Sequence, residues 1–221
     1  FVNNKDFYIK KELKSRKFKS KIVKVDSQRI NLFLKKINNN YFLTETNKEN
    51  LSFVLEILKK LKTKNKLLVK TIKNFKGLKY RQQIIFRQKN LTIINDSKST
   101  SFSSSIGLLK VNPNIYWLLG GISKKGDKFV LPKKYFKNIK AFIYGRNKNF
   151  FNQQLKGKIK FKNFHNISEA LKKIFLEIKK QKVQNKTILF SPSAASFDSF
   201  KNFEERGSYF NQLIKRYLNG I

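Results

Sequence analysis

Residues 95–100, Asn-Asp-Ser-Lys-Ser-Thr, place an acid, a lysine and three hydroxyl groups within six positions. Apolar residues at 91–94 precede them and predict the end of a strand, and the small residues at 101–107 can begin a helix. Ligands of open α/β sheets bind just beyond the carboxyl ends of strands. The free N–H groups of a helix start attract anions. The segment therefore predicts an anion site with Lys98 directed at negative charge, although a solvated turn is the alternative.

The rest of the carboxy-terminal two thirds supplies the elements that must position this segment. Continuous apolar runs predict buried strands, and stretches of helical periodicity lie between them. The predicted strands are 83–87, 91–94, 115–119, 141–144 and 187–190, with a turn at 88–90, and the predicted helices are 101–110, one beginning at 166, and 203–218. This alternation indicates an α/β fold with a mostly parallel sheet covered on both faces.

Parallel strands bring their carboxyl ends to one edge of the sheet, so the loops that follow them should meet there. The loops are 95–100, 120–126, 145–146 and 191–196. Each contains small residues, which allow a ligand to approach the backbone. We expect the following side chains to converge on one anionic substrate: Lys98, Thr100, Lys124, Ser193 and Ser196.

The amino-terminal third has a different pattern. Residues 1–44 predict a β-rich region, with short strand-like runs at 7–9, 22–25 and 30–34. A helix is expected at 46–62, capped by Thr46 or Asn47, with Glu49 completing a capping box. Asn47 and Asn50 then share the first turn, either as capping groups or as two amides facing a ligand. A second helix at 67–74 ends before Gly77, where we expect a domain boundary.

Composition limits the classes of function. The chain has no Cys, so disulfides, thiolate metal sites and cysteine nucleophiles are excluded, and no apolar run is long enough to span a membrane. The net charge of +37 suggests nucleic acid, but only seven of the 50 basic residues are Arg, whose fork reads bases and phosphates. Abundant Lys, Asn, Ile and Phe share A/T-rich codons, so nucleic-acid binding is disfavoured. A cytoplasmic monomer is expected.

Other catalytic patterns are missing from the sequence. There is no G-x-S-x-G elbow, the one His165 has no matched acid and serine, and neither metal-ligand spacing nor a P-loop motif occurs. The chain contains no Met and begins with Phe1, which we interpret as an amino-terminal truncation of a longer protein.

Three motifs together resemble the Mur ligases, and in particular those that add D-glutamate. Residues 95–100 resemble the NDSKAT motif of that family. Residues 118–121 with Lys124 and Asp127 resemble its LLGG…K..D segment, and residues 191–207 resemble its long SPACASFDQFKNFEERG signature. Gly77 and Arg81 fit a GLPHR segment between two domains. The resemblance is strong from Gly77 onward and weaker before it.

The resemblance implies the domain organisation. Residues 1–78 would be the carboxy-terminal tail of a central ATP-binding domain, and residues 79–221 a Rossmann-like carboxy-terminal domain that binds the amino acid. It also implies an ATP-dependent ligase of peptidoglycan synthesis that joins D-glutamate to UDP-N-acetylmuramoyl-L-alanine through an acyl phosphate. The P-loop and the Mg²⁺ ligands would lie in the missing amino-terminal part, so we expect the fragment to be inactive alone and to hold no metal.

The same resemblance assigns roles to individual residues. Lys124 and Thr100 would bind the α-carboxylate of D-glutamate, and Ser196 with the N–H group of Phe203 would bind its side-chain carboxylate. Lys98 would face the transferring phosphoryl group, where positive charge stabilises the transition state. The residues expected to contact the nucleotide are Asn47, Asn50, Arg81 and Asp96.

The departures from the family pattern include Thr46, Tyr80, Ser101 and Ile122. The departures lie mainly on the nucleotide side, which leaves those assignments less supported than the D-glutamate ones. Two alternatives therefore remain open. One is a related Mur or folylpolyglutamate-type ligase with another amino acid, and the other is a Lys-rich nucleic-acid-binding module.

Overall fold

The computed structural model describes residues 1–88, 90–180 and 185–219. The chain divides into two compact units, Phe1–Lys76 and Gly77–Ile221. The first unit is mainly helical, and the second is a six-stranded sheet with helices on both faces. The division falls between Lys76 and Gly77, next to the glycine at which the sequence predicts a boundary.

The first unit contains two very short strands, β1 (Val2–Asn3) and β2 (Lys24–Val25), which pair in parallel. Its helices are α1 (Phe7–Ser15), α2 (Asn31–Ile37), α3 (Glu45–Lys60) and α4 (Asn65–Lys73). A small core of Ile30, Ile37, Phe42, Leu51 and Ile72 lies among them.

The prediction of a β-rich start is wrong, and only Lys24–Val25 lies in a predicted strand run. The run at 7–9 is helical because the Asp6 carboxylate accepts a hydrogen bond from the Ile9 N–H at 2.9 Å and caps α1. The run at 30–34 is helical because Ile30, Leu34 and Ile37 have helical spacing and share the core.

The predicted cap of α3 is also wrong. Thr44 is the N-cap, and its hydroxyl accepts a hydrogen bond from the N–H of Asn47. The helix starts at Glu45, so Thr46 and Asn47 lie inside its first turn. The helix at 67–74 is present as α4, which begins two residues earlier.

The second unit carries strands in the order β3-β4-β8-β5-β6-β7. Their bounds are β3 (Gln83–Gln88), β4 (Leu91–Asn95), β5 (Ile115–Gly120), β6 (Ile139–Tyr144), β7 (Lys160–Asn163) and β8 (Lys186–Phe190). All neighbouring pairs are parallel except β3 and β4. The α/β fold with a mostly parallel sheet is confirmed. The turn predicted at 88–90 includes Lys89, which lies outside the described residues.

Helices α5 (Phe102–Val111), α6 (Lys148–Leu155), α7 (Ile167–Lys180) and α8 (Phe203–Asn219) cover the sheet. All six residues of strand β5 are buried, which requires helices on both faces of the sheet. Trp117 points into the core that includes Phe102 and Phe151, while Leu118 points into the opposite core with Phe210. Three of the helices match the predictions within one residue, and α6 and β7 were not predicted.

Candidate functional site

The loops that follow β4, β5 and β8 are joined by backbone hydrogen bonds at one edge of the sheet. The N–H of Gly120 donates to the carbonyl of Pro192 at 3.0 Å, and Ile122 and Ala195 exchange two hydrogen bonds at 2.9 and 3.0 Å. The N–H of Ala194 donates to the Ser99 carbonyl at 3.3 Å. Seven of the predicted site residues lie in these loops or at the start of α8: Asp96, Lys98, Thr100, Lys124, Ser193, Ser196 and Phe203.

The β4 loop is also attached to α8. The Asn95 side-chain amide donates to the Gly207 carbonyl at 2.9 Å and to the Asn211 side chain at 2.7 Å. The Ser97 hydroxyl donates to the Phe203 carbonyl at 2.9 Å. Residues 95–100 are therefore a rigid connection between the sheet and α8, not a freely solvated turn.

The side chain of Asp96, which follows the last residue of β4, is buried. One carboxyl oxygen, Oδ1, accepts the Gln82 N–H at 3.0 Å, and the other lies 2.8 Å from the Ser191 hydroxyl. Burial raises the pKa of Asp96 to about 7, although the bonds from Ser191 and Gln82 and the charges of Arg81 and Arg206 act in the opposite direction. Both protonation states are thus accessible near neutral pH.

Ser191 begins a chain of buried hydroxyl contacts, which we call the hydroxyl network. The Ser191 Oγ lies 2.6 Å from the Oγ of Ser105, which lies 2.7 Å from that of Ser193 and 2.8 Å from that of Ser99. The Ser99 Oγ in turn lies 2.8 Å from the Oγ of Ser104, near the start of α5. These contacts join the loops after β4 and β8 through side chains as well as backbone.

Lys98 is only partly buried and makes a cation–π contact. Its Nζ lies 3.7 Å from the centre of the Phe203 ring, the first residue of α8. Its backbone N–H donates to the Tyr80 carbonyl at 3.0 Å. Among the ion pairs of the described residues, none involves Lys98, so its charge is available to a ligand.

The β5 loop turns at two glycines with positive φ, Gly120 and Gly121. A Cβ at Gly121 would lie 2.3 Å from the Ala195 carbonyl oxygen, so the close crossing of the two loops requires glycine. Lys124 follows on the exposed part of this loop. Asp127 then accepts the Phe102 N–H at 2.7 Å and attaches the loop to the start of α5.

Thr100 and Ser196 lie on different loops and differ in exposure. Thr100 is exposed immediately before α5, whereas Ser196 is 3% exposed. The Ser196 carbonyl accepts two N–H groups, from Ser199 at 3.2 Å and Phe200 at 3.0 Å, which forms a compact turn leading to α8.

Arg206 is a buried residue that the sequence analysis did not assign. It is 1% exposed, and its guanidinium donates to the Ser97 hydroxyl, the Ser97 carbonyl and the Ala194 carbonyl at 2.7 to 3.1 Å. It fixes the loops after β4 and β8 against α8. Its third nitrogen, Nη1, has no hydrogen-bond partner among the described residues, and neither has the nearby Asp198 Oδ2. Only its membership of the 191–207 signature pointed to it.

The predicted nucleotide-side residues are divided between the two units. Arg81 is exposed in the second unit, between Tyr80 and Gln82, which both adopt positive φ. In the first unit, Asn47 is buried and its amide donates to the Tyr41 carbonyl at 2.7 Å, while Asn50 is exposed.

Asn47 and Asn50 both line a cavity of about 470 Å³ in the first unit, together with mainly apolar residues. Within the described part of the chain, no group of three His, Asp or Glu side chains could hold a metal ion. No helix there has the length and apolar character to cross a bilayer.

Curated relatives match most of this chain. It is 37% identical over 172 residues to "UDP-N-acetylmuramoylalanine--D-glutamate ligase" of Rickettsia prowazekii, and 36% identical over 175 residues to that of Francisella tularensis. The protein of the same name from the Wolbachia of Brugia malayi is 34% identical over 171 residues. Over the matched stretch, the chain is similar to these ligases.

The match covers 77% of this chain but only 34 to 41% of these relatives. The chain therefore spans about a third to two fifths of the length of the Mur ligases that it matches. No protein-family model matches the chain.

Proposed function

We propose that this chain is the amino-acid-binding part of an ATP-dependent Mur ligase that adds D-glutamate to UDP-N-acetylmuramoyl-L-alanine in peptidoglycan synthesis. The observation that carries the proposal is the meeting of three family-like segments at one sheet edge. The glycine segment, the 95–100 segment and the 191–207 segment hydrogen-bond to one another there. Relatives at 34 to 37% identity with this ligase name support it.

In this proposal, the two carboxylates of D-glutamate bind on opposite sides of the edge. Lys124 and Thr100, which are both exposed, hold the α-carboxylate. The Ser196 hydroxyl and the N–H of Phe203 hold the side-chain carboxylate. Phe203 is the first residue of the 17-residue helix α8, where N–H groups lack partners within the helix and the helix dipole favours an anion. Charge-assisted bonds of this kind are the stronger ones.

We propose that the nucleotide is bound by Arg81, Asp96, Asn50 and Asn47. The contribution of Asp96 is indirect, because its Oδ1 already accepts the N–H of Gln82. Asp96 thereby stabilises the strained turn that presents Arg81. The amide of Asn47 is already bonded to the Tyr41 carbonyl, so Asn50 is the more available of the two amides.

The proposed reaction has two steps. ATP transfers its γ-phosphoryl group to the alanyl carboxylate, giving an acyl phosphate and ADP, and the amine of D-glutamate then attacks the acyl carbon. Loss of a proton from nitrogen and of phosphate from carbon leaves the amide. Lys98 stabilises the negative charge of the transferring phosphoryl group. The ring of Phe203 holds the Lys98 ammonium in place without neutralising it.

The Mur ligases that match are longer than this chain, and we place the P-loop and the Mg²⁺ ligands in the part that they have in addition. The first unit is then the tail of the ATP-binding domain. We further propose that the protein works as a monomer in the cytoplasm.

The test measures the binding of D-glutamate to this chain by calorimetry or by NMR chemical shifts. Lys124→Ala should weaken binding about tenfold or more, because a charged hydrogen bond contributes about 1.5 to 3 kcal/mol. Lys125→Ala is the matched control, since it removes an equally exposed neighbouring lysine. Equal affinity for L-glutamate, or equal effects of the two variants, would contradict the proposal.

A further inference from the structure

Two serines of the hydroxyl network stand where the family motifs quoted above have alanine. These are Ser99 in the NDSKAT-like segment and Ser193 in the SPACAS-like segment. Both of their hydroxyl groups contact the same atom, the Oγ of Ser105. Because buried polar groups need hydrogen-bond partners, the shared contact with Ser105 accounts for both replacements. Ser193 Oγ also lies 3.5 Å from the Ser191 carbonyl.

Each serine hydroxyl carries one proton, so the direction of every hydrogen bond follows from one end of the network. The Ser104 hydroxyl donates to the Ser101 carbonyl at 2.6 Å. The Ser99–Ser104 contact then requires Ser99 as donor, and the Ser99–Ser105 contact requires Ser105 as donor. Ser193 can complete the set as a donor to Ser105.

The same counting continues to the other end. Since the proton of Ser105 goes to Ser99, the 2.6 Å contact between Ser105 and Ser191 requires Ser191 as donor. With an ionised carboxylate, Ser191 donates to Asp96 Oδ2 at 2.8 Å. All the contacts can be bonded at once only when Asp96 is protonated and supplies the proton for this one.

An ionised Asp96 reverses the direction of the hydrogen bonds that run from Asp96 through Ser191, Ser105 and Ser99 to Ser104. It can only accept, so Ser191 must donate to it, Ser105 to Ser191, Ser99 to Ser105, and Ser104 to Ser99. The Ser101 carbonyl then loses the Ser104 proton. Ser193 donates to Ser105 in both states, which makes it an internal reference that does not reverse.

We propose that Asp96 and the hydroxyl network form a proton-linked switch that acts on the turn at Thr100 and Ser101. Protonated Asp96 ties Ser104 to the Ser101 carbonyl and fixes the turn. Ionised Asp96 draws the Ser104 proton inward and removes this one bond, while the Ser101 N–H still donates to the Ser104 Oγ at 3.3 Å. The network thus transmits a change of charge from the buried side of the β4 loop to its exposed end.

The surroundings of Asp96 allow the switch to work near neutral pH. Burial raises its pKa to about 7, and the groups that oppose this are Ser191, the Gln82 N–H, Arg81 and Arg206. If the proposed function also holds, the switch makes D-glutamate affinity depend on pH, because Thr100 is in the turn. The switch itself requires no ligand, so its test is independent of that function.

The test is an NMR pH titration of this chain without ligand. The Asp96 carboxyl carbon and the amide groups of Ser101 and Phe102 should titrate with one common midpoint. In Ser105→Ala the Asp96 carbon should still titrate, and the response of the turn should be lost. Ser103→Ala removes an exposed hydroxyl that lies 2.9 Å from the Ser101 Oγ but contacts no member of the network. It should leave both titrations and their common midpoint in place.

Through-space influence of the Asp96 charge is the competing explanation, and it would leave the response of the turn unchanged in Ser105→Ala. That result, or a turn that does not titrate with Asp96 in the original chain, would overturn the proposal. If Ser105→Ala does not fold, Ser99→Ala replaces it. This variant restores the alanine of the motif and breaks the same series of hydrogen bonds one step later, so it should give the same loss.

Discussion

Replacing Asp96 with asparagine should make the second unit more stable at alkaline pH and remove most of its pH dependence. Asparagine has the shape of the protonated acid. Its oxygen can accept the Gln82 N–H, and its NH₂ can donate to Ser191, as a protonated carboxyl does. The substitution therefore keeps the two contacts and removes only the buried charge.

The magnitude follows from the pKa of Asp96, which burial raises from 3.8 to about 7. Because the folded chain binds this proton more tightly than the unfolded chain does, the contribution to stability is complete below about pH 4. It is lost as the pH rises through 7. A shift of about three units corresponds to about 4 kcal/mol in total, of which about 2.5 kcal/mol is lost between pH 5 and pH 8.

The assay is urea unfolding at pH 5, 6, 7 and 8, in which the fluorescence of Trp117 reports the fraction of unfolded chain. This residue is the only Trp of the chain and is fully buried in the second unit, so its signal reports that unit alone. The original chain should lose about 2.5 kcal/mol more than Asp96→Asn across this range. The control is Glu204→Gln, which removes one exposed acid of the same unit and should preserve the pH slope.

The comparison between variants is what decides, because other groups also titrate. Burial raises the pKa of Asp198 as well, which gives a slope of the same sign in every variant. If the original chain and Asp96→Asn lose the same free energy from pH 5 to pH 8, the buried carboxyl does not carry the pH dependence. An increase in the stability of the original chain relative to Asp96→Asn with rising pH would refute the reasoning.

Three further substitutions test the packing around the site and the first unit. Arg206→Lys should destabilise the second unit by about 2 to 4 kcal/mol in urea, because an ammonium cannot make the three bonds that the planar guanidinium donates. Gly121→Ala should destabilise it clearly more than Gly126→Ala, since a Cβ at the former overlaps a carbonyl and at the latter meets open space. Thr44→Ala should cost the first unit about 1 kcal/mol, monitored by circular dichroism, whereas Thr46→Ala should cost less because Thr46 is not the cap.

The second unit follows its sequence closely because its strands are continuous apolar runs. Such runs have few alternatives to a buried position in a sheet covered on both faces. Strand β7 was not predicted because it is not a continuous apolar run. It lies at the edge of the sheet, and Lys160 and Lys162 interrupt its sequence. In the first unit, short apolar runs between lysines fit strands and helices equally well. At residues 7–9 the helix is favoured by a capping hydrogen bond from the Ile9 N–H to the Asp6 carboxylate, which the apolar pattern does not indicate.

The meeting of the loops at the candidate site could be predicted from the sequence, but their contacts could not. Motif order and strand ends indicate which loops meet, because parallel topology fixes where their ends lie. They do not reveal that Arg206 is buried against Ser97, 109 positions away, or that Ser105 contacts Ser191 across 86 positions. Serines and one arginine in polar segments give no signal of burial, since these residue types are mostly exposed.

The state of Asp96 depends on a balance of opposing effects that only the folded chain provides. Burial favours the neutral acid, while the charges of Arg206 and Arg81 favour the carboxylate. Arg206 has no acidic partner among the described ion pairs, so it would gain from ionisation of Asp96. The bond that Ser191 donates also favours the carboxylate, whereas the complete set of hydroxyl contacts is bonded only when the acid is protonated. The 95–100 loop therefore binds the buried Arg206 guanidinium through Ser97 and carries the protonatable Asp96 next to it. A substitution at Arg206 or at Asp96 should shift the balance between protonated and ionised Asp96.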